Sequence, residues 1–179
     1  MQIIMFKGVI NMKNKLLCVM AGYDDDTEKY LSEIQKKLYE QGFHGTQTKN
    51  IPQHITLGTF DVEKEDELVS LFDSIAQKTN SFDITFNHIG IFNGSKVLFV
   101  APDTSKNLIE LKEMFEDSAN WTPHTTMLID EPDVIFKAMP IVLDSFESFK
   151  GKVENIYLYK FWPAEHILSI KLLSNSDNK

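Results

Sequence analysis

Apolar residues recur along this chain in two rhythms, one of about 3.6 residues and one of two, and the switches between them predict an alternating series of helices and strands. The run Leu16–Leu17–Cys18–Val19–Met20–Ala21 reads as a buried strand over 15–23. Asp24, Asp25 and Asp26, followed by Thr27, supply an N-cap and first-turn negative charge for a helix that continues to about Gln41 and stops at Gly42. Residues 45–52 read as polar loop. Over 54–60, His54, Thr56, Gly58 and Phe60 alternate with Ile55, Leu57 and Thr59, as in a strand. A second helix is predicted over 63–80, with Leu68, Leu71, Phe72 and Ile75 at core spacing.

Short strands follow at 82–86 and 89–92, and Asn93–Gly94–Ser95 reads as a hairpin turn into a strand over 96–101. A third helix is expected over 105–117 around Leu108, Leu111 and Phe115. Trp121–Thr122–Pro123 then leads into a strand over 124–129. A fourth helix over 132–142 precedes two closing strands, 152–159 and 167–173, joined around Pro163. Residues 174–179 are a polar tail expected to fray. Helices mixed with hairpins predict an α+β fold rather than a purely parallel sheet. No linker divides the chain, so 1–179 is read as one unit, long enough for two small lobes sharing a cleft. Residues 1–11 precede a second methionine, Met12, and are either an upstream extension or an added strand.

Composition narrows the setting. The chain is 42% hydrophobic and 25% charged, ordinary for a soluble domain. No apolar run approaches the roughly 20 residues that span a bilayer, so no membrane partner is expected. Residues 16–21 follow Lys13 and Lys15 as the core of a signal peptide would, but the run is short and meets the acidic triplet almost at once. A cytoplasmic protein is therefore expected. The single cysteine, Cys18, has no internal disulfide partner and reads as a small buried side chain rather than a nucleophile. The acidic triplet reads as a helix start rather than a metal site.

Charge bears on the partner. Net charge is −8, and all 18 basic residues are lysine. Extended nucleic acid is gripped by basic patches, and arginine forks favour phosphate, so tight binding along RNA is not expected. A small nucleotide or a single RNA terminus remains compatible. A monomer is the default expectation.

Two segments match one another: Pro52–Gln53–His54–Ile55–Thr56–Leu57 and Thr122–Pro123–His124–Thr125–Thr126–Met127. Each is His-x-Thr-apolar, entered through a proline-containing loop. On a strand, residues i and i+2 share a face about 7 Å apart, so each segment presents an imidazole beside a hydroxyl. Two such strands across a cleft would surround one phosphate with two imidazoles and two hydroxyls. Opening a cyclic phosphodiester needs a base for water and an acid for the departing ribose oxygen, and histidine can serve as either at neutral pH. Threonine hydroxyls can donate to the non-bridging oxygens, where charge accumulates. The scheme requires neither metal nor cofactor.

On these residues the sequence resembles the 2H phosphoesterase superfamily, in its bacterial 2′-5′ RNA ligase-like branch, whose mark is a tandem His-x-Thr/Ser-apolar motif. The resemblance runs over nearly the whole chain from Met12. It implies a two-lobed, pseudo-symmetric α+β fold, each lobe an antiparallel sheet backed by helices, with the active site in the cleft between lobes. It implies metal-independent opening of 2′,3′-cyclic phosphates of nucleotides or RNA ends, and in some members reversible 2′-5′ ligation. Carried over, His54 and His124 become the acid–base pair and Thr56 and Thr126 the phosphate-binding hydroxyls. His54 is preferred as acid and His124 as base. Thr125 stands where an apolar residue is commoner, and the missing arginine weighs against polynucleotide ligation.

Among other residues, Trp121 and Phe60 are the base-stacking candidates, with Trp162 also weighed. His44, His88 and His166 fall outside the motif; Ser169 lies one place too far from His166 to share its face on a regular strand. Two other readings remain: a hydrolase of another phosphodiester, such as a cyclic phosphate on an ADP-ribose derivative or a 2′-5′ oligonucleotide, and a non-catalytic module that binds RNA ends.

Overall fold

The structure is a computed structural model that describes residues 15–116 and 118–174. The expectations for residues 1–11 and for the tail beyond Ser174 lie outside the described residues. Strand β1 (Leu16–Tyr23) is buried along nearly its whole length, as its unbroken apolar run demands. It feeds α1 (Asp25–Glu40), whose start is fixed by Asp24 accepting a hydrogen bond from the Thr27 N–H at 3.1 Å. Asp25, Asp26 and Glu28 fill the first turn, where the helix dipole favours carboxylates. Gly42, at φ 86°, takes the left-handed conformation that ends the helix.

Next come β2 (His54–Asp61), a single 3-10 turn at Val62–Lys64, α2 (Glu65–Ala76), β3 (Phe82–Phe92) and β4 (Val97–Pro102). They are followed by α3 (Lys106–Glu113), β5 (Thr125–Ile129), α4 (Pro132–Ser145), β6 (Phe149–Phe161) and β7 (Glu165–Lys171). Three elements depart from expectation. The helix expected over 63–80 begins as the 3-10 turn and ends at Ala76. Helix α3 is shorter than 105–117 because its last turn tightens: the Phe115 and Glu116 N–H groups both bond to the Lys112 carbonyl. The two strands expected at 82–86 and 89–92 are one. Its first part pairs with β6 and its second with β4, and the register shifts between Phe86 and His88.

The described strands form a seven-stranded sheet in the order β2-β1-β6-β3-β4-β5, with β7 beside the second half of β6 on the edge that β3 takes along its first half, and every named pair is antiparallel. That order reads the same from both ends if β1, β2 and β3 are exchanged for β4, β5 and β6. The chain is therefore two copies of a β-α-β-α-β unit, β1-α1-β2-α2-β3 and β4-α3-β5-α4-β6. Each copy places its third strand beside the first strand of the other. This is the two-lobed, pseudo-symmetric α+β fold.

One face of the sheet packs on the helices in a continuous core that includes Val19, Ile55, Leu57, Val100, Met127, Leu31, Phe72 and Val142. The opposite face carries two smaller apolar clusters. Cys18, Met20, Tyr159 and Phe161 lie on one lobe, and Val97, Phe99 and Ala101 on the other. Among the described residues no helix is long and apolar enough to cross a membrane.

Phe72 is fully buried and meets Phe115 edge-on at 5.8 Å between ring centroids. Phe72→Ala is expected to lose about 3–5 kcal/mol of stability in urea unfolding. Phe136→Ala, at a position 73% exposed, should stay within about 0.5 kcal/mol of the parent.

Candidate active site

Strands β2 and β5 are the two outermost strands of the sheet, one from each half. Each is bulged at the same place in its motif. Thr56 pairs with Met20 and Gly58 with Val19, so Leu57 has no partner of its own. Thr126 pairs with Phe99 and Leu128 with Leu98, which leaves Met127 in the same condition. Both unpaired residues are fully buried in the main core. The apolar fourth position of each motif is thus the anchor of a β-bulge, which bends an edge strand and re-aims its side chains.

The bulges decide which side chains reach the cleft. Thr56, opposite Met20, and Thr126, opposite Phe99, stand on the cleft face with the two small apolar clusters. His54, two residues before Thr56 and opposite Gly22, shares that face. Beyond Leu57 the alternation reverses. Phe60 pairs with Leu17 and packs against the main core, so it is no platform for a base in the cleft. The regular alternation read from 54–60 ends at the extra residue. A bulge also corrects the reading of His166: the shift between Leu158 and Tyr159 puts His166 and Ser169 on one face, where His166 lies against the Tyr159 ring at 5.2 Å.

The histidines are held alike. Nδ1–H of His54 donates to the Pro52 carbonyl at 2.7 Å, and Nδ1–H of His124 to the Thr122 carbonyl at 2.9 Å. A carbonyl can only accept, so Nδ1 carries the proton in each ring and Nε2 is left to exchange one. Burial holds both imidazoles below the usual histidine pKa, against the opposing effect of the carbonyl bonds. The charge of His124 lowers His54 further, which makes the two rings electrostatic neighbours. His124 also lies among Phe92 and Phe99, at ring distances of 4.7 and 5.3 Å.

Each half places a side chain on the open edge of the other half's motif strand. Trp121, on the approach to β5, donates from Nε1 to the Thr56 carbonyl of β2 at 3.1 Å. Gln35, on α1, donates from Nε2 to the Met127 and Thr126 carbonyls of β5 at 3.2 and 3.5 Å. Gln35 accepts in turn from Gln53 Nε2 at 3.0 Å, and the Gln53 backbone N–H donates to Glu28 at 3.0 Å. Trp121 is therefore a strut between the lobes, with its indole packed against the main core, and it does not line the cavity that holds His54, Thr56 and Thr126. Thr125, polar where an apolar residue was expected, is fully buried and its hydroxyl is bonded to the Tyr23 hydroxyl of β1. Sequence reasoning missed Gln35 and Gln53, since a glutamine on an amphipathic helix carries no mark of what it will meet.

A cavity of about 250 Å³ is lined by His54, Thr56 and Thr126 together with Met20, Phe161 and Trp162; His124 is not part of its lining. A larger hollow of about 420 Å³, between residues 78–83 and 107–114, contains none of the motif residues. Cys18 lies behind Thr56, to which its thiol is hydrogen-bonded, and burial pushes its pKa up to about 12. It is a protonated wall residue. Lys160 is engaged by Glu65 at 2.7 Å, and His88 by Asp103 at 2.8 Å. Among the described residues no three His, Cys, Asp or Glu side chains are grouped to hold a metal ion.

The family model described as the 2′-5′ RNA ligase superfamily matches residues 23–161, which include both motifs. The chain belongs to that superfamily. A comparison with curated proteins gave no match. Among solved structures, E. coli LigT in its apo form is similar at a TM-score of 0.62 and 16% identity, over 89% of this chain and 98% of that one. The protein TT0787 of Thermus thermophilus is similar at 0.59 and 14%, over 89% and 99%. E. coli LigT complexed with 3′-AMP is similar at 0.57 and 17%, over 89% and 99%. The superfamily's fold thus spans nearly all the described chain, and membership makes the protein a phosphoesterase or ligase-like enzyme.

The depressed histidines predict a pH response. The fold favours the neutral rings, so as pH falls the unfolded chain takes up protons first, from about pH 6.5. Stability should decline from there until the folded pair is also protonated. NMR titration should find both rings in the Nδ1–H form with midpoints below 6.5. His124→Ala should move the His54 midpoint upward, because it removes a neighbouring charge and admits water.

Proposed function

We propose that this superfamily member opens 2′,3′-cyclic phosphates of nucleotides or RNA ends by two-histidine acid–base catalysis. The observation that carries this reading is the matched pair of imidazoles, each with Nδ1 tied to a backbone carbonyl and Nε2 free, and each followed at i+2 by a threonine on a cleft-facing strand. The reading is further supported by crystal structures of E. coli LigT complexed with 3′-AMP and with phosphate.

In the proposed reaction, water attacks phosphorus in line with one ribose oxygen. His124 takes the proton from the water at Nε2. His54, protonated, gives its Nε2 proton to the departing oxygen as the phosphorus–oxygen bond breaks. The product is a phosphomonoester, and the two protonation states reset through solvent. His54 is the more deeply buried ring and His124 the one nearer water, which favours this assignment over its reverse. Thr56 and Thr126 donate hydroxyls to the non-bridging oxygens, whose charge grows at the transition state. An anionic phosphodiester between two depressed imidazoles favours protonation of one, and repulsion between the rings disfavours a second proton. A bell-shaped dependence of kcat/KM on pH follows.

The net charge of −8 and the absence of arginine favour a small nucleotide or a terminus as substrate over an extended strand.

The decisive experiment incubates the protein with nucleoside 2′,3′-cyclic monophosphates in EDTA and separates the products. Turnover should persist in EDTA and fall about 10²–10⁴-fold in His54→Ala and in His124→Ala. Thr56→Val and Thr126→Val should each lose about 10–10²-fold, chiefly in kcat. Binding without turnover in the parent protein would instead identify a module that holds RNA ends. The struts make a separate prediction. Gln35→Leu and Trp121→Phe keep bulk but free the edge carbonyls, so kcat should fall by up to about 10²-fold with KM little changed, as expected when reacting groups are misplaced by an ångström.

A further inference from the structure

The exposed aromatic side chain at the cavity is Trp162. It follows β6 at the turn toward β7 and lines the same cavity as His54, Thr56 and Thr126. Its ring is 42% exposed, one of the few large apolar side chains left open to solvent among the described residues. Its orientation is fixed on two sides. Nε1 donates to the Thr48 hydroxyl at 3.4 Å, and its ring centroid lies 5.3 Å from that of Phe161, which is buried beneath the cleft face. A large indole held in place, half open, and set at the wall of a polar reaction site has the properties of a stacking platform.

The rest of the wall narrows what the platform takes. Cys18, Met20, Ile51 and Phe161 add apolar surface, and no lysine, aspartate or glutamate lines the cavity. A second phosphate would find no cation there. Gln47 reaches the cavity with its hydrogen bonds already committed: its amide nitrogen goes to Tyr39 and the His44 carbonyl, and its oxygen accepts from the Ile129 N–H. Thr48 accepts from Trp162 and keeps its own hydroxyl proton to donate. The wall therefore offers stacking, the Thr48 hydroxyl and the uncommitted part of the Gln53 amide, enough to hold a base and few groups with which to read its edge. A cavity of about 250 Å³ sits at the small end of ligand sites, suited to one nucleoside unit rather than a dinucleotide.

We propose that Trp162, backed by Phe161 and Ile51, is the nucleobase subsite for a mononucleotide cyclic phosphate or the last nucleotide of an RNA end. It discriminates little between bases and disfavours substrates that carry a pyrophosphate. The inference rests on the cyclic phosphodiesterase reading for its substrate, and its test separates the two.

Kinetics are compared on the four nucleoside 2′,3′-cyclic monophosphates and on glycerol 1,2-cyclic phosphate, which has the same five-membered phosphodiester and no base. Trp162→Ala should raise KM for the nucleotides about 5- to 150-fold, the worth of one stacked base, and leave kcat/KM on the glycerol compound unchanged. Trp162→Phe should recover most of the loss. The four bases should differ by less than about tenfold in the parent. In parallel, intrinsic tryptophan fluorescence is titrated with a nucleoside 3′-monophosphate. Quenching is expected in the parent and not in Trp162→Phe. An unchanged nucleotide KM in Trp162→Ala, or an equal loss on both substrate types, overturns the subsite. If the parent turns over neither substrate, the phosphodiesterase reading fails, and the quenching experiment still decides whether Trp162 meets a base.

Discussion

The site depends on two edge strands being held face to face by side chains that each half contributes to the other. β2 and β5 are the outermost strands, with open backbone edges, and an open edge is both mobile and prone to stray pairing. Trp121 occupies the Thr56 carbonyl on one edge, and Gln35 occupies the Thr126 and Met127 carbonyls on the other. Each bonded carbonyl belongs to a motif residue, so the bonds fix the backbone at the place where the imidazole and hydroxyl are presented. The anchors at Leu57 and Met127 act from the opposite side. Each is buried in the core behind its strand, so the bulge cannot slide without exposing an apolar side chain to water. The motif strand is gripped from its edge and from beneath.

Seen this way, the motif is more than a pair of reactive groups at a fixed spacing. The histidine and threonine face the cleft, the residue between them packs the core or, at Thr125, bonds across the lobes to Tyr23, and the fourth residue anchors the bulge. The pseudo-symmetry repeats the device at the two ends of one sheet, which the palindromic strand order requires.

Much of this was legible in the sequence where the cause is local. The start of α1 was visible because Asp24 and Thr27 are three residues apart, and its end because Gly42 takes a positive φ. The hairpin at Asn93–Gly94–Ser95, the α+β class and the two motifs are read from neighbouring residues in the same way. What was not legible is long-range. Phe60 looked like a cleft residue because alternation was extended past a bulge whose existence depends on the register of β2 against β1. Trp121 looked like a platform because it stands three residues before His124, while its indole bonds to a carbonyl 65 positions away. Gln35 is separated from Met127 by 92 positions. Trp162 was weighed and passed over, since nothing adjacent to it in sequence shows that the β6–β7 turn comes back to the cavity.

The neutrality of the cavity bears on the proposal that two weak bases share one reaction. No carboxylate bonds to either Nδ1; both partners are carbonyls, which orient a ring but stabilise an imidazolium much less than an anion would. Before substrate binds, burial therefore leaves both rings neutral, and each can accept a proton but neither can give one from Nε2. In the proposed reaction the acid is therefore one that the ligand creates. The proposed phosphodiester substrate would bring a single negative charge beside the two buried rings, where one imidazolium becomes favourable and two remain costly. The more deeply buried His54 gains most from that charge, because water screens it least. An apolar wall without lysine preserves the effect: a resident cation would neutralise the phosphate before the imidazole did. In the proposed reaction, the absence of lysine from the cavity lining leaves the substrate itself to generate the acid that its leaving oxygen needs.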